Sequence, residues 1–510
     1  MNGPRRWIAL VFSLLLTLIA NSQVQPDSLK QYLSRPEWVK QLNLHNPRQT
    51  LEFYQALAFR PAWNEQSTRT LLSLFQSADS FGLNPSDYLQ AGPANIHFPS
   101  QDLASIAIDI QRSDAALHFF NDLAYGNTEP PLGYNGPAYH PSGYALPALL
   151  ADYLGNGRLD SLPAFVEPAL PEVRAIHSKI IQLLRLQASS DLKEEKILSN
   201  AANIHNKALL KKLYFLGIID SATLPHDSLL RKALRLAQRA FGLFDDGMMR
   251  STLMEQLNIP IRVRIQQLKL ALNYYRWLHC LASQQPVVVV NIPAAFLKVY
   301  QGDSILLSMR MIVGKPSTPT PTLCSTIDEV ILYPYWTVPR SIIGKEWLPA
   351  VRRNPAYVDA NNFQVLDSRA RILDPYKINW HSITASNFPY TVRQSTGCDN
   401  ALGLIKLNFY SPFGVYLHDT PDKGLFLLNK RFFSHGCMRM ENPMDLGHLV
   451  LQNNAIAIDT VEQKGCLLHQ SPVSVPADLK LTVLVWYNPA GLDKSGHVVF
   501  YEDVYRKFNW

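Results

Sequence analysis

The stretch FGVYLHDTPDKGLFLLNKRFFSHGCMRMEN, Phe413 to Asn442, decides how the C-terminal half of this chain is read. Val415-Tyr416-Leu417-His418 has the composition of a short strand, and a period of two puts Tyr416 and His418 on one face while Val415 and Leu417 turn to a core. The strand ends at Asp419-Thr420-Pro421, good turn chemistry. The apolar run Leu425–Leu428 anchors the loop and returns the chain as Ser434-His435-Gly436-Cys437-Met438-Arg439, so a thiol comes back beside the imidazole. Cys437 is then a candidate nucleophile and His418 its base, with Asp419 orienting the ring through its carboxylate or its backbone carbonyl. Gly436 removes bulk before the thiol, leaving room for a carbonyl and for backbone amides that face an oxyanion. Arg439 can grip a carboxylate or depress the thiol pKa. Each residue also has a blander reading: buried filler for Cys437, a hydrogen-bonding strut for His435, a surface charge for Arg439, a turn-former for Asp419. Their clustering favours acyl transfer.

Outward from this segment the periodicity changes twice. From Pro286 it approaches two, and Val287–Ile292, Ala295–Tyr300, Ser304–Val313, Val330–Pro334, Gly403–Tyr410 and Val415–His418 predict a mostly β domain over 285–466. Within it, Tyr335–Gln394 carries Pro339, Pro349, Pro355, Pro375 and Pro389 with little alternation, and reads as a flap over the site or as disordered material, an insertion of about 340–394. Leu481–Trp486 and His497–Tyr501 predict a peripheral hairpin in an extension over 467–510. Residues 27–200 carry helical spacing at Leu51–Trp63, Arg69–Phe81, Leu103–Tyr125 and Ile176–Ala188, with Asn127–Gly143 as a long loop, and form a helical scaffold. Residues 201–258 predict three helices, Asn206–Leu216, Ser228–Phe241 and Met249–Leu257, and 259–284 a connector helix. The fold class is multidomain α+β.

Arg5 and Arg6 precede the apolar run Trp7–Ala20, which is short for a bilayer span and is followed by small residues, so residues 1–22 read as an export signal; an uncleaved anchor is the alternative. The formal charge is +7 in 510 residues. It is spread without a Lys/Arg stripe, which argues against nucleic acid and for an anionic envelope polymer. Cys280, Cys324, Cys398, Cys437 and Cys466 are too sparse for a disulfide scaffold. One bridge among those other than Cys437 is compatible with this spacing, and sequence does not choose it. Cys466 reads as structural, and Cys398, beside the base of the insertion, is the thiol placed to trap Cys437. No Cys-x2-Cys pair or HExxH helix suggests zinc.

His418 followed by Ser434-His435-Gly436-Cys437-Met438-Arg439 resembles the signature of the L,D-transpeptidases with a YkuD-type catalytic domain. Asn400-Ala401-Leu402-Gly403, Phe409 and Tyr416–Pro421 fit the same pattern. Tyr54–Trp63 and Ala78–Tyr88 resemble the scaffold of the large gammaproteobacterial branch, 206–257 a peptidoglycan-binding-like domain, and the region opened by Trp336-Thr337-Val338-Pro339 that branch's substrate cap. Arg250 departs, standing where such binding domains usually have glycine. The resemblance implies a thioester on Cys437, release of D-Ala from a tetrapeptide donor, transfer to the diaminopimelate amine of an acceptor stem in a 3→3 cross-link, and acylation by carbapenems. Tyr416, Arg439, Ser434, Trp336 and Asn400 would contact or support substrate, with His435 and Gly436 near the oxyanion. No cofactor or metal is implied. The partners are peptidoglycan stems and other wall-synthesis enzymes, with no nucleic acid and peripheral membrane contact at most, in the periplasm. The same fold also serves enzymes that attach a lipoprotein lysine to the stem or hydrolyse that link, and a non-catalytic wall-binding scaffold is the reading from a different class.

Overall fold

Val287–Asn291 is buried at every position, as a run of valines without alternation requires of a strand covered on both faces. It pairs antiparallel with Phe296–Gln301, which pairs antiparallel with Ser304–Gly314. The sheet continues through Met438–Met440, Leu417–His418 and Ile405–Phe409 to Leu323–Leu332. There it closes on itself, because Leu323–Leu332 also pairs with Thr482–Trp486, which runs parallel to Val287–Asn291. Closure removes the long unpaired edges that an open sheet of this length would leave. Val290, Val299, Met311, Leu407, Leu417 and Met438 are among the residues that fill its core.

A computed structural model describes residues 26–89, 100–137, 143–189, 194–198, 205–224, 226–468 and 470–510. The expected export signal at 1–22 lies outside them. Among the described residues no helix is long and apolar enough to cross a membrane.

Three expectations for the β region are corrected. Thr482–Trp486 is no peripheral hairpin strand: all five residues are buried and the strand closes the sheet, so 467–510 is not an appendage to the β domain. The short pair Ala490–Leu492 and Val498–Phe500 forms a separate antiparallel hairpin. The strand expected at Val330–Pro334 begins at Leu323, its first half disguised by Ser325, Thr326 and Asp328. Part of the loop expected at 127–143 is also sheet, since Tyr134–Asn135 pairs parallel with Leu323–Cys324.

The Pro-rich insertion is ordered. Trp336–Thr337, Thr391–Gln394, Phe363–Leu366 and Ile372–Leu373 form a four-stranded antiparallel sheet. Val338, Trp347, Val351, Trp380, Phe388 and Val392 give it its own core. Its base is tied by a disulfide between Cys398 and Cys466, so Cys398 is engaged away from Cys437. Lys207–Phe215, Asp227–Ala240 and Ser251–Leu257 form the expected helices of the next region upstream. There Arg250 closes an ion pair on Asp246.

The helical unit comprises the described parts of 1–129, 141–192 and 264–280. Its central helix, Gln101–Tyr125, buries carboxylates along with its apolar face: Asp109 accepts from Tyr54 at 2.6 Å and from the Ala62 and Trp63 amides, and Asp114 from the His45 and Asn46 amides at 2.8 Å. These carboxylates satisfy loop N–H groups that no helix partner can reach. The expected connector helix, Ile261–Ala282, is instead largely part of this unit's core, where Arg276 is fully buried against Glu167.

Candidate active site

Leu407, Leu417, Met438 and Met440 point into the closed sheet, so the period of two turns Lys406, Tyr416, His418, Cys437 and Arg439 to its other face. Register sets their neighbours. His418 stands opposite Arg439 on one side and Lys406 on the other. One step back, the Met438 N–H donates to the Tyr416 carbonyl at 3.1 Å, bringing Cys437 beside Tyr416.

His418 is buried, and its Nδ1 lies 2.5 Å from the Asp419 carbonyl oxygen. A carbonyl only accepts, so Nδ1 carries the hydrogen and Nε2 keeps its lone pair. Burial first, then the Arg439 charge, push the imidazole down to about 3 against the help of the Asp419 bond. It is a neutral ring at any physiological pH. The Asp419 carboxylate has a different job, accepting from Lys423 Nζ at 2.7 Å and from the Leu404 amide at 2.8 Å. That contact needs glycine at 403, where φ is +60° and a Cβ would stand 2.3 Å from Asp419 Oδ2.

The thiol differs from expectation. No hydrogen bond joins Cys437 to His418; the groups whose influence reaches the sulfur are Tyr416, Lys406 and Arg439. Burial raises its pKa; Tyr416, Lys406 and Arg439 pull the other way and do not prevail. Arg439 therefore does not produce a resting thiolate. It is half-buried and reaches Asp422 at 3.3 Å. Because thiolate is the nucleophile, alkylation of Cys437 by iodoacetamide is expected to keep rising past the ordinary thiol range, with no plateau between pH 5 and 8 and no limb from the neutral imidazole. Its rate against pH, read by mass spectrometry, checks this; half-maximal reactivity near neutrality contradicts it.

The remaining residues hold this face in place. Ser434 donates to the Cys437 carbonyl at 2.5 Å and accepts from the Gly436 amide at 3.2 Å, while Thr320 donates to the Gly436 carbonyl at 2.9 Å. Gly436 has φ +117°, and a Cβ there would meet Val415 at an ordinary 3.6 Å. Backbone conformation by itself calls for glycine here, and no protein neighbour crowds the position. His435 is exposed and its Nε2 lies 2.8 Å from Glu346, a contact that ties this loop to the insertion. Trp336, on the first strand of the insertion, is half-buried, and its influence reaches the Tyr416 hydroxyl. Asn400 corrects another expectation: it is fully buried, its amide donating to the Pro334 and Ser395 carbonyls at 3.0 and 2.8 Å and its oxygen accepting from Leu402. Buried, with both amide hydrogens engaged, it braces the base of the insertion and is closed to a substrate.

Sequence reasoning missed Lys406 and Glu346. Alternation in Ile405–Phe409 marks Lys406 as opposite the core, but its neighbours depend on strand pairing; Glu346 sits where no period was visible. Among the described residues, His448, Asp459 and Glu462 bring possible metal-ligand atoms within 4.8 Å of one another.

Residues 285–458 match the family model of the L,D-transpeptidase catalytic domain, YkuD, and residues 48–178 that of a scaffold domain. The chain is 35% identical over 238 residues to a Haemophilus influenzae protein described as a candidate L,D-transpeptidase, covering 46% of this chain and 47% of that one. It thus spans about half the length of the curated relative it matches. Among solved structures, the L,D-transpeptidase from Mycobacterium smegmatis is similar at 16% identity over 39% of this chain and 58% of that one, TM-score 0.19. L,D-transpeptidase 3 from Mycobacterium tuberculosis is similar at 14% identity over 39% and 60%, TM-score 0.19.

Proposed function

We propose that this chain is a cysteine L,D-transpeptidase that joins peptidoglycan stems by 3→3 cross-links in the periplasm. The observation that carries the reading is a neutral imidazole whose Nδ1 is tied to a carbonyl and whose Nε2 keeps its lone pair, on a strand that pairs with the segment directly following Cys437. A change of χ1 well at Cys437 is the motion that turns the thiol toward that nitrogen. His418 Nε2 then takes the thiol proton as Sγ bonds to the carbonyl carbon of the third stem residue. As the C–N bond to D-Ala breaks, the imidazolium returns that proton to the leaving amine. The thioester is next attacked by the side-chain amine of diaminopimelate on a second stem; His418 takes the amine's proton and passes it to the departing sulfur. With the imidazole's pKa far below neutrality, the charged ring is short-lived and proton transfer accompanies attack. The Lys406 and Arg439 charges favour the thiolate and disfavour the imidazolium, which fits that order of events.

The test is incubation of purified protein with disaccharide-tetrapeptide. A cross-linked dimer with one D-Ala released per link is expected, together with a covalent Cys437 adduct on exposure to a carbapenem, both lost in Cys437→Ala. Release of D-Ala without dimer sinks the cross-linking reading, and the absence of any adduct on Cys437 sinks acyl transfer altogether.

A further inference from the structure

Lys406 carries its ammonium on the Cys437 face, and no ion pair among the described residues holds it there. The neighbours Ile405 and Leu407 belong to the core, so the lysine is fixed by its backbone opposite His418. It is half-buried, with Nζ 4.1 Å from the centre of the Tyr416 ring. Among the described residues it makes no ion pair. Glu329, the carboxylate whose field reaches it, is engaged by Asn408 at 2.8 Å and by the Ser474 hydroxyl. Arg439, on the same face, has the exposed Asp422.

The face therefore holds two cations, a neutral imidazole and a protonated thiol, with one exposed carboxylate at its rim. A partly desolvated ammonium whose best neighbour is an aromatic ring is less stable than one in water or one paired with a carboxylate. A polar group placed at such a cost, with no return to the fold, marks a ligand contact. The ligand chemistry follows from the charge and from the thiol alongside. It is an anion, and next to a nucleophile that opens a peptide amide it is a peptide carboxylate.

We propose that Lys406 is a specificity-determining residue whose ammonium receives a carboxylate flanking the amide that Cys437 opens. The inference rests on the acyl-transfer reading above. A tetrapeptide donor offers two such groups, the C-terminal carboxylate of D-Ala and the side-chain carboxylate of diaminopimelate.

The test compares acylation of Cys437 by three synthetic tetrapeptide donors, one with both carboxylates free and one with each in turn amidated. Wild-type protein, Lys406→Met and Lys406→Arg are used, and unchanged melting temperatures establish that the variants fold. In the wild type, amidating one of the two carboxylates is expected to lower kcat/KM on the order of 10- to 100-fold, the size of a charge-assisted hydrogen bond. The same amidation should cost Lys406→Met less than about twofold, while Lys406→Arg keeps most of the discrimination. Which amidation matters identifies the carboxylate. Equal slowing of all three donors in Lys406→Met overturns the proposal, since the lysine would then act on the thiol, and so does a wild type indifferent to both amidations. A wild type that no donor acylates, while iodoacetamide still alkylates Cys437, removes instead the transpeptidase reading beneath it.

Discussion

His418→Ala is expected to lower the rate of Cys437 acylation by about 10²-fold or more at neutral pH while leaving the fold intact. The size follows from what the ring supplies. The thiol is protonated at rest because burial outweighs its two cationic neighbours, so attack on an amide needs a proton acceptor at the moment of bonding. His418 Nε2 is the neutral, correctly tautomeric group on that face. His418→Gln, which keeps a donor for the Asp419 carbonyl but has no basic nitrogen, should lose as much and excludes a mere cavity effect. The pH dependence separates base from scaffold. Where hydroxide already ionises the thiol, a base is superfluous, so the gap between wild type and variant in the rate of acylation should narrow as pH rises past the thiol's raised pKa. Acylation unchanged at pH 7, or a gap that persists undiminished at high pH, rejects the role.

How much of this site was legible depended on whether the information lay along the chain or across it. The His418 strand, its turn and the return to Cys437 are local, and alternation alone puts Val415 and Leu417 in the core, with Tyr416 and His418 away from it. Partner choice is not local. That Cys437 meets Tyr416 before His418, and that Lys406 lies alongside, follows from a parallel and an antiparallel register that no period in the sequence encodes. The missed half of Leu323–Leu332 has the same origin. A strand paired at one end with Ile405–Phe409 and at the other with Thr482–Trp486 changes its surroundings along its length and cannot alternate cleanly. Thr482–Trp486, buried on both faces, offered only a short apolar run, which reads equally as an edge hairpin. The insertion's core is rich in aromatic residues from widely spaced loops and short helices, Trp347, Trp380 and Phe388 among them, so it leaves no periodic trace.

The largest stability effect should come from Arg276→Met in the helical unit. Arg276 is fully buried and is bonded to Glu167, whose other oxygen accepts from His177 Nδ1 at 2.8 Å. Burial pushes the Glu167 carboxyl up, but the His177 hydrogen bond and the Arg276 charge together hold it below the ordinary value. Methionine fills much of the same volume and leaves a nearly buried carboxylate without its cation. Breaking one side of such a pair costs about 3–5 kcal/mol, most of it the penalty on the partner left behind. The sign of the pH dependence follows. A depressed carboxyl contributes stability that is full above its unfolded-state pKa and is lost as pH falls through its folded one. The variant's carboxyl, freed of the guanidinium, titrates higher and becomes neutral sooner. The destabilisation should therefore be greatest near pH 7 and shrink toward pH 4. Because a chain of several domains has no single unfolding free energy, the measurement is native-state hydrogen exchange in the helices Pro171–Gln187 and Ile261–Ala282, at both pH values. A loss that is equal at the two pH values assigns the effect to packing and contradicts the electrostatic account. Glu167→Gln added to Arg276→Met should recover part of the loss, since removing both charges removes the unpaired one.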